Sequence, residues 1–123
     1  MSDWHDVREE LLAFALGLPE AHEDHPWGET VVKVNKKVFV FLGIDEPTDK
    51  WQPAFTVKLL SEARGHALTV PGAKPSSHGL GKAGWVTVPL MAELPETEVL
   101  LDWVEESYRA VAPKRAIKAL DAL

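Results

Sequence analysis

Two groups of residues in this chain have the types and spacing to do chemistry. His22-Glu23-Asp24-His25 sets two imidazoles three apart with carboxylates between them, donors that suit a divalent ion. Pro19 and Pro26 bracket the group, so a helix that would bring both rings to one face is not expected. No third ligand is marked elsewhere. Residues 19–29 therefore read as a solvated acidic loop, and no metal is assigned. The second group is basic: Lys33, Lys36, Lys37, Lys58 and Lys82, with Trp85 nearby in the pattern. Ammonium groups meet phosphates and an indole stacks on a base, so this set suits a polyanion if the fold gathers it on one surface.

Other motifs carry less. Gly79-Leu80-Gly81-Lys82-Ala83-Gly84 matches a dinucleotide pattern by letters. That mechanism needs a strand before the glycines and a helix after them. Here a loop precedes and a strand follows. What survives is a flexible loop whose amides, with Lys82, could hold a small anion. Ser61, Ser76, Ser77 and Ser107 lack a nucleophile's surroundings, and His66 and His78 lack a marked carboxylate partner. No catalytic residue and no cofactor is assigned. The chain has no cysteine, which removes disulfides and thiolate chemistry.

The elements that must position the lysines follow from periodicity. Thr30 to Ile44 reads as a hairpin turning at Asn35-Lys36, since Asn tolerates positive φ. That turn pairs Val34 with Lys37, Lys33 with Val38, Val32 with Phe39 and Thr30 with Phe41. One face then carries Val32, Val34, Phe39 and Phe41 as core; the other carries Lys33 with Val31, Val38 and Val40. Ala54–Leu60 is a third strand with Phe55, Val57 and Leu59 inward, and Trp85–Leu90 a fourth with Val86, Val88 and Leu90 inward. Pro89 ends that strand or puts it at an edge. On this reading Lys33, Thr56, Lys58, Trp85 and Thr87 share the outer sheet face.

Around the strands lie helices. Trp4, Val7, Leu11, Phe14 and Leu18 recur at helical spacing, so residues 3–16 form an amphipathic helix capped by Ser2 or Asp3 and stopped at Gly17. Ser61 caps a short helix over 62–68. The 43–53 and 71–84 stretches are loops. A long helix follows Pro95, with Val99, Leu100, Trp103, Val104, Tyr108 and Val111 as its stripe, and a short helix follows Pro113. Strands cluster and the long helices lie at the ends. That order predicts an α+β fold: an antiparallel sheet of about four or more strands, with N- and C-terminal helices on one face.

The chain is 123 residues long, which suits a single domain over 1–123. It has no run of about 18 apolar residues and no apolar leader, so no membrane span and a cytoplasmic location are expected. The net charge of −6 is unevenly spread. Residues 1–29 carry one base and eight acids, residues 30–90 eight bases and four acids, and residues 91–123 four bases and seven acids. The strands are thus basic and the flanking helices acidic, which argues against indiscriminate nucleic-acid binding but leaves a basic face.

Several short pieces, in order, resemble the MmcQ/YjbR family of small bacterial proteins. They are Leu18-Pro19-Glu20, Trp27-Gly28, Lys36-Lys37-Val38-Phe39 and Val57-Lys58-Leu59. Leu80-Gly81-Lys82 before Gly84-Trp85-Val86-Thr87-Val88 follows, then Ser107-Tyr108-Arg109 before Pro113-Lys114-Arg115. The resemblance runs from about Leu11 to Arg115. It implies a CyaY-like (frataxin-like) α+β architecture and a DNA-binding role through a double-wing arrangement of strands and loops. It implies no enzymatic activity. The expectation is a monomeric DNA-binding domain in which Lys33, Lys36, Lys37, Lys58 and Lys82 contact phosphates and Trp85 stacks on or supports the face. The alternative is a small-anion or protein-interaction module built from the 71–84 loop and the sheet face.

Overall fold

A computed structural model describes residues 3–44, 52–76 and 80–123. Ser77, His78, Gly79 and most of the 43–53 connection, with Trp51, lie outside the described residues.

Helix α1 spans Trp4–Leu16. The Asp3 carboxylate caps it, accepting from the His5 and Asp6 amides at 2.9 and 3.1 Å. Six strands follow among the described residues: β1 Ala21–Asp24, β2 Thr30–Val34, β3 Lys37–Gly43, β4 Ala54–Lys58, β5 Lys74–Pro75 and β6 Trp85–Pro89. They form one antiparallel sheet in the order β1-β2-β3-β4-β6-β5. Helix α2, Ala63–Leu68, lies between β4 and β5; α3, Thr97–Val111, and α4, Lys114–Asp121, close the chain. Single 3₁₀ turns cover Pro26–Gly28 and Leu80–Ala83. The fold is α+β, with the N-terminal helix α1 and the C-terminal-half helix α3 packed on one face of the sheet. No described helix is long and apolar enough to cross a membrane.

The core lies between that face and the helices. Phe55, Val57 and Leu59 of β4 and its extension, and Val86 and Val88 of β6, meet Leu11 and Ala15 of α1 and Leu100, Trp103, Val104 and Tyr108 of α3. Phe39 meets Tyr108 edge-on, with centroids 5.2 Å apart. Ser61 Oγ accepts from the Ala63 amide at 3.1 Å just before α2, but the residue at the helix's N-terminal cap is Glu62, not the expected Ser61.

The structure corrects the sequence reading in three further places. The β2–β3 hairpin does turn at Asn35, whose φ is 59°, and Val34–Lys37 and Lys33–Val38 pair as expected. Beyond them the register slips twice: Val32 pairs with Val40, not Phe39, and Thr30 with Gly43, not Phe41. Each slip takes up one extra residue of β3, and an extra residue reverses the faces after it. Val40 and Leu42 therefore join the core with Phe39, while Phe41 leaves it for the outer face.

The second correction is β1. Residues 19–29 are not all loop, because Ala21–Asp24 pairs along its whole length with β2. Its AHED sequence has no strand propensity. What holds it is the row of amides and carbonyls that the apolar strand β2 presents, and its charges suit an outer strand. Third, the 71–84 loop carries the two-residue strand β5 and a 3₁₀ turn. β6 is thus flanked by β4 and β5, and Pro89 is its last residue.

Candidate functional site

Antiparallel pairing brings the lysines to one end of the sheet. The hairpin tip carries Lys36 and Lys37, both exposed, at the start of β3. Because β4 runs opposite to β3, its last residue, Lys58, lies at that same end. Lys58 pairs in register with Trp85, the first residue of β6. The 3₁₀ turn that delivers the chain into β6 holds Lys82, which is exposed. Lys37, Lys58 and Trp85 line one shallow depression, floored by Phe41 and Val38 and flanked by the last turn of α3.

Among the described residues, none of Lys36, Lys37, Lys58 and Lys82 is in an ion pair. Lys33 differs. It faces outward as expected, but its Nζ lies 2.7 Å from Asp24 Oδ2 on β1. That contact, with the His25 backbone amide as a second donor, holds the Asp24 carboxyl below its ordinary range. The Lys33 charge is balanced before any ligand arrives.

Of the two roles expected of Trp85, stacking and support, its surroundings favour support. Its side chain is on the outer face with Thr56, Lys58 and Thr87, yet only 9% of the residue is exposed. Phe41 packs against it edge-on, 5.5 Å between centroids. So small an exposed area gives a base no ring face to stack on. The indole supports the floor between Lys37 and Lys58 instead.

One residue that sequence reasoning passed over belongs here. Arg64, on the helix after β4, shares a concavity with Lys82 and donates to the Gly81 carbonyl at 3.5 Å. Its signal was its position six residues after Lys58 on the next element. The glycine loop, by contrast, has fewer free donors than its letters suggest. The Gly81 amide donates to Ser76 O and the Gly84 amide to Gly81 O, both at 3.1 Å. The glycines answer to crowding: a Cβ on Gly84, whose φ is 101°, would lie 2.9 Å from the Leu59 carbonyl oxygen.

The histidine group does not gather around one point. Asp24 holds Lys33, and Glu23 Oε2 lies 2.8 Å from His25 Nε2. Ser61 and Ser107 are hydrogen-bonded within the fold, Ser61 to Glu106 at 2.7 Å and Ser107 between β3 and β4. His66 lies edge-on to Trp103.

Known structures share this arrangement of elements. A Deinococcus radiodurans protein, described by the domain DUF419, superposes with a TM-score of 0.68 at 24% identity, covering 98% of this chain and 89% of its own. A Pseudomonas syringae protein superposes at 0.63 and 24% identity, covering 85% of this chain and 97% of its own. At that identity the likeness speaks for the fold. No curated protein matches the chain. The family model YjbR matches residues 16–110, from the last turn of α1 to the last turn of α3, and so takes in the whole sheet and every lysine of its basic end. The chain belongs to the YjbR family.

Proposed function

We propose that this chain is a non-enzymatic, single-domain binding protein whose basic sheet end holds the phosphate backbone of DNA. One observation carries the reading. Lys36, Lys37, Lys58 and Lys82 come from three separate stretches of chain to one end of the sheet, with no carboxylate partner among the described residues. Separated point charges along an edge suit a linear polyanion better than a single small anion, which needs convergent donors. The occupied Gly81 and Gly84 amides weigh the same way. With Trp85 buried, affinity rests on phosphates and is largely indifferent to sequence.

A salt titration of labelled duplex and single-stranded oligonucleotides tests this by fluorescence anisotropy. Four phosphate contacts give a slope of log K against log salt of about −3 to −4. Replacing Lys58 and Lys82 together by Ala reduces that slope by about two, whereas Lys33→Ala, already neutralised by Asp24, leaves it unchanged. Absence of binding at low salt, or a slope the double variant does not move, defeats the proposal.

A further inference from the structure

The outer sheet face holds a second site beside the lysines, none of which lines it among the described residues. It is a cavity of about 210 Å³ over the middle of the sheet. Its floor is the cross-strand row Phe41, Thr56 and Thr87; Ser76 and Leu80 line it from the segment before β6, and Glu29 from the approach to β2. Phe41 is shared with the depression that holds Lys37 and Lys58. Among the described lining residues there is no Lys or Arg. The lining is mostly apolar, and its polar side chains are Thr56, Thr87, Ser76 and Glu29, a half-buried residue.

Counting hydrogens decides what such a site accepts. Thr87 Oγ1 lies 2.9 Å from Thr56 Oγ1 and 2.9 Å from Ser76 Oγ, so the three hydroxyls form a chain. Three hydroxyls own three protons and six lone pairs. The two bonds of the chain use two protons and two lone pairs. Roughly one proton and four lone pairs remain for a guest. The Glu29 carboxylate adds acceptors and negative charge. Among the described lining side chains, acceptors are therefore in excess, beside an aromatic ring, a set that disfavours an anion. Its size sets the rest: an apolar cavity of about 150 Å³ takes one benzene, so this one takes a ring with a short substituent.

We propose that this cavity binds a small primary amine borne on a single ring. The ammonium donates into the Thr56–Thr87–Ser76 chain and toward Glu29, and the ring lies against Phe41 and Leu80. The ammonium is where the acceptors are, and the ring is where the apolar wall is.

Benzylamine is the probe, with benzyl alcohol and benzoate as matched neutral and anionic controls, titrated into ¹⁵N-labelled protein by NMR. The expected order is benzylamine, then benzyl alcohol, then benzoate, with shifts centred on the amides of Phe41, Thr56 and Thr87. Thr87→Val keeps the branched shape and removes the middle hydroxyl, weakening benzylamine about three- to tenfold. Should that variant not fold, Thr56→Val tests the chain at its end with the same expected direction. Glu29→Gln narrows the preference for benzylamine over benzyl alcohol. The variant lacking Lys58 and Lys82 binds benzylamine as the parent does, which separates this site from the phosphate reading. Benzoate binding as tightly as benzylamine, no shift with any of the three, or shifts centred on the lysine end each overturn the proposal.

Discussion

Ser107 shows how one hydroxyl can stand in for a missing rung of a sheet. The extra residue at Phe39 draws β3 out of step, and the Lys58 amide and the Phe39 carbonyl no longer serve each other. Ser107, on the buried face of α3, reaches between the strands. Its Oγ accepts from the Lys58 amide at 2.8 Å and donates to the Phe39 carbonyl. Replacing it with Ala leaves two main-chain groups without partners in a space closed to water. Each such group costs about 1–3 kcal/mol, so Ser107→Ala should lower stability by about 2–6 kcal/mol. Urea denaturation checks this as a lower midpoint with the slope unchanged. An unshifted midpoint would show that the strands close without the serine. Its helical position was legible beforehand: Ser107 stands in the apolar stripe beside Val104 and Tyr108, where a lone hydroxyl needs a partner. The partner was not, because it exists only where a bulge in another element opens the ladder.

At the scale of elements, periodic stretches were readable and borrowed ones were not. α1, β4, β6 and α3 each carry their own pattern of apolar residues, and the structure keeps them within a residue or two. β1 has no such pattern; it is a strand because β2 is beside it. The same dependence governs the chain just before it. Glu20 takes a φ of 61° and turns the chain from α1 into β1, and both its carboxylate oxygens are gripped by Arg115 at 3.0–3.2 Å. Tyr108 donates to the neighbouring Pro19 carbonyl at 2.8 Å. α4 is thereby tied to the start of the sheet. The hydrogen bond from Arg115 first, and its charge second, hold the Glu20 carboxyl below its ordinary 4.5. Arg115 stays charged, so the sign is that of a depressed acid: the tie is complete above about pH 4.5 and is lost as pH falls through the lower folded value. Hydrogen exchange should therefore show α4 amides opening before those of β3 and β4 in acid. Glu20→Gln should reproduce that opening at neutral pH. If α4 exchanges alike in the variant and the parent, the pair is not what seats it.

For the molecule as a whole, charge is partitioned. The basic strand region sits between acidic helical segments in a chain of net charge −6. That much was written in the composition; that Lys33, alone of the five lysines, is paired among the described residues was not, because Asp24 reaches it only through β1. If the basic end holds a polyanion, the rest of the surface repels it. The repulsion is a field effect, so it depends on ionic strength and not on contact. Glu9 and Glu10 are exposed on α1, a helix packed against the inner face of the sheet. Two unit charges about 20 Å from a phosphate each contribute about 0.2 kcal/mol in water, summed over several phosphates. Glu9→Gln with Glu10→Gln should therefore raise oligonucleotide affinity roughly two- to fivefold at about 10 mM salt, where the screening length is about 30 Å. At about 150 mM salt that length is about 8 Å and the variant should match the parent. Anisotropy titrations at the two salt concentrations measure both values. A gap that survives screening would mean that α1 touches the polyanion. Equal affinities at low salt would mean that no long negative chain lies within the field of these helices, and the basic end would have to be read without one.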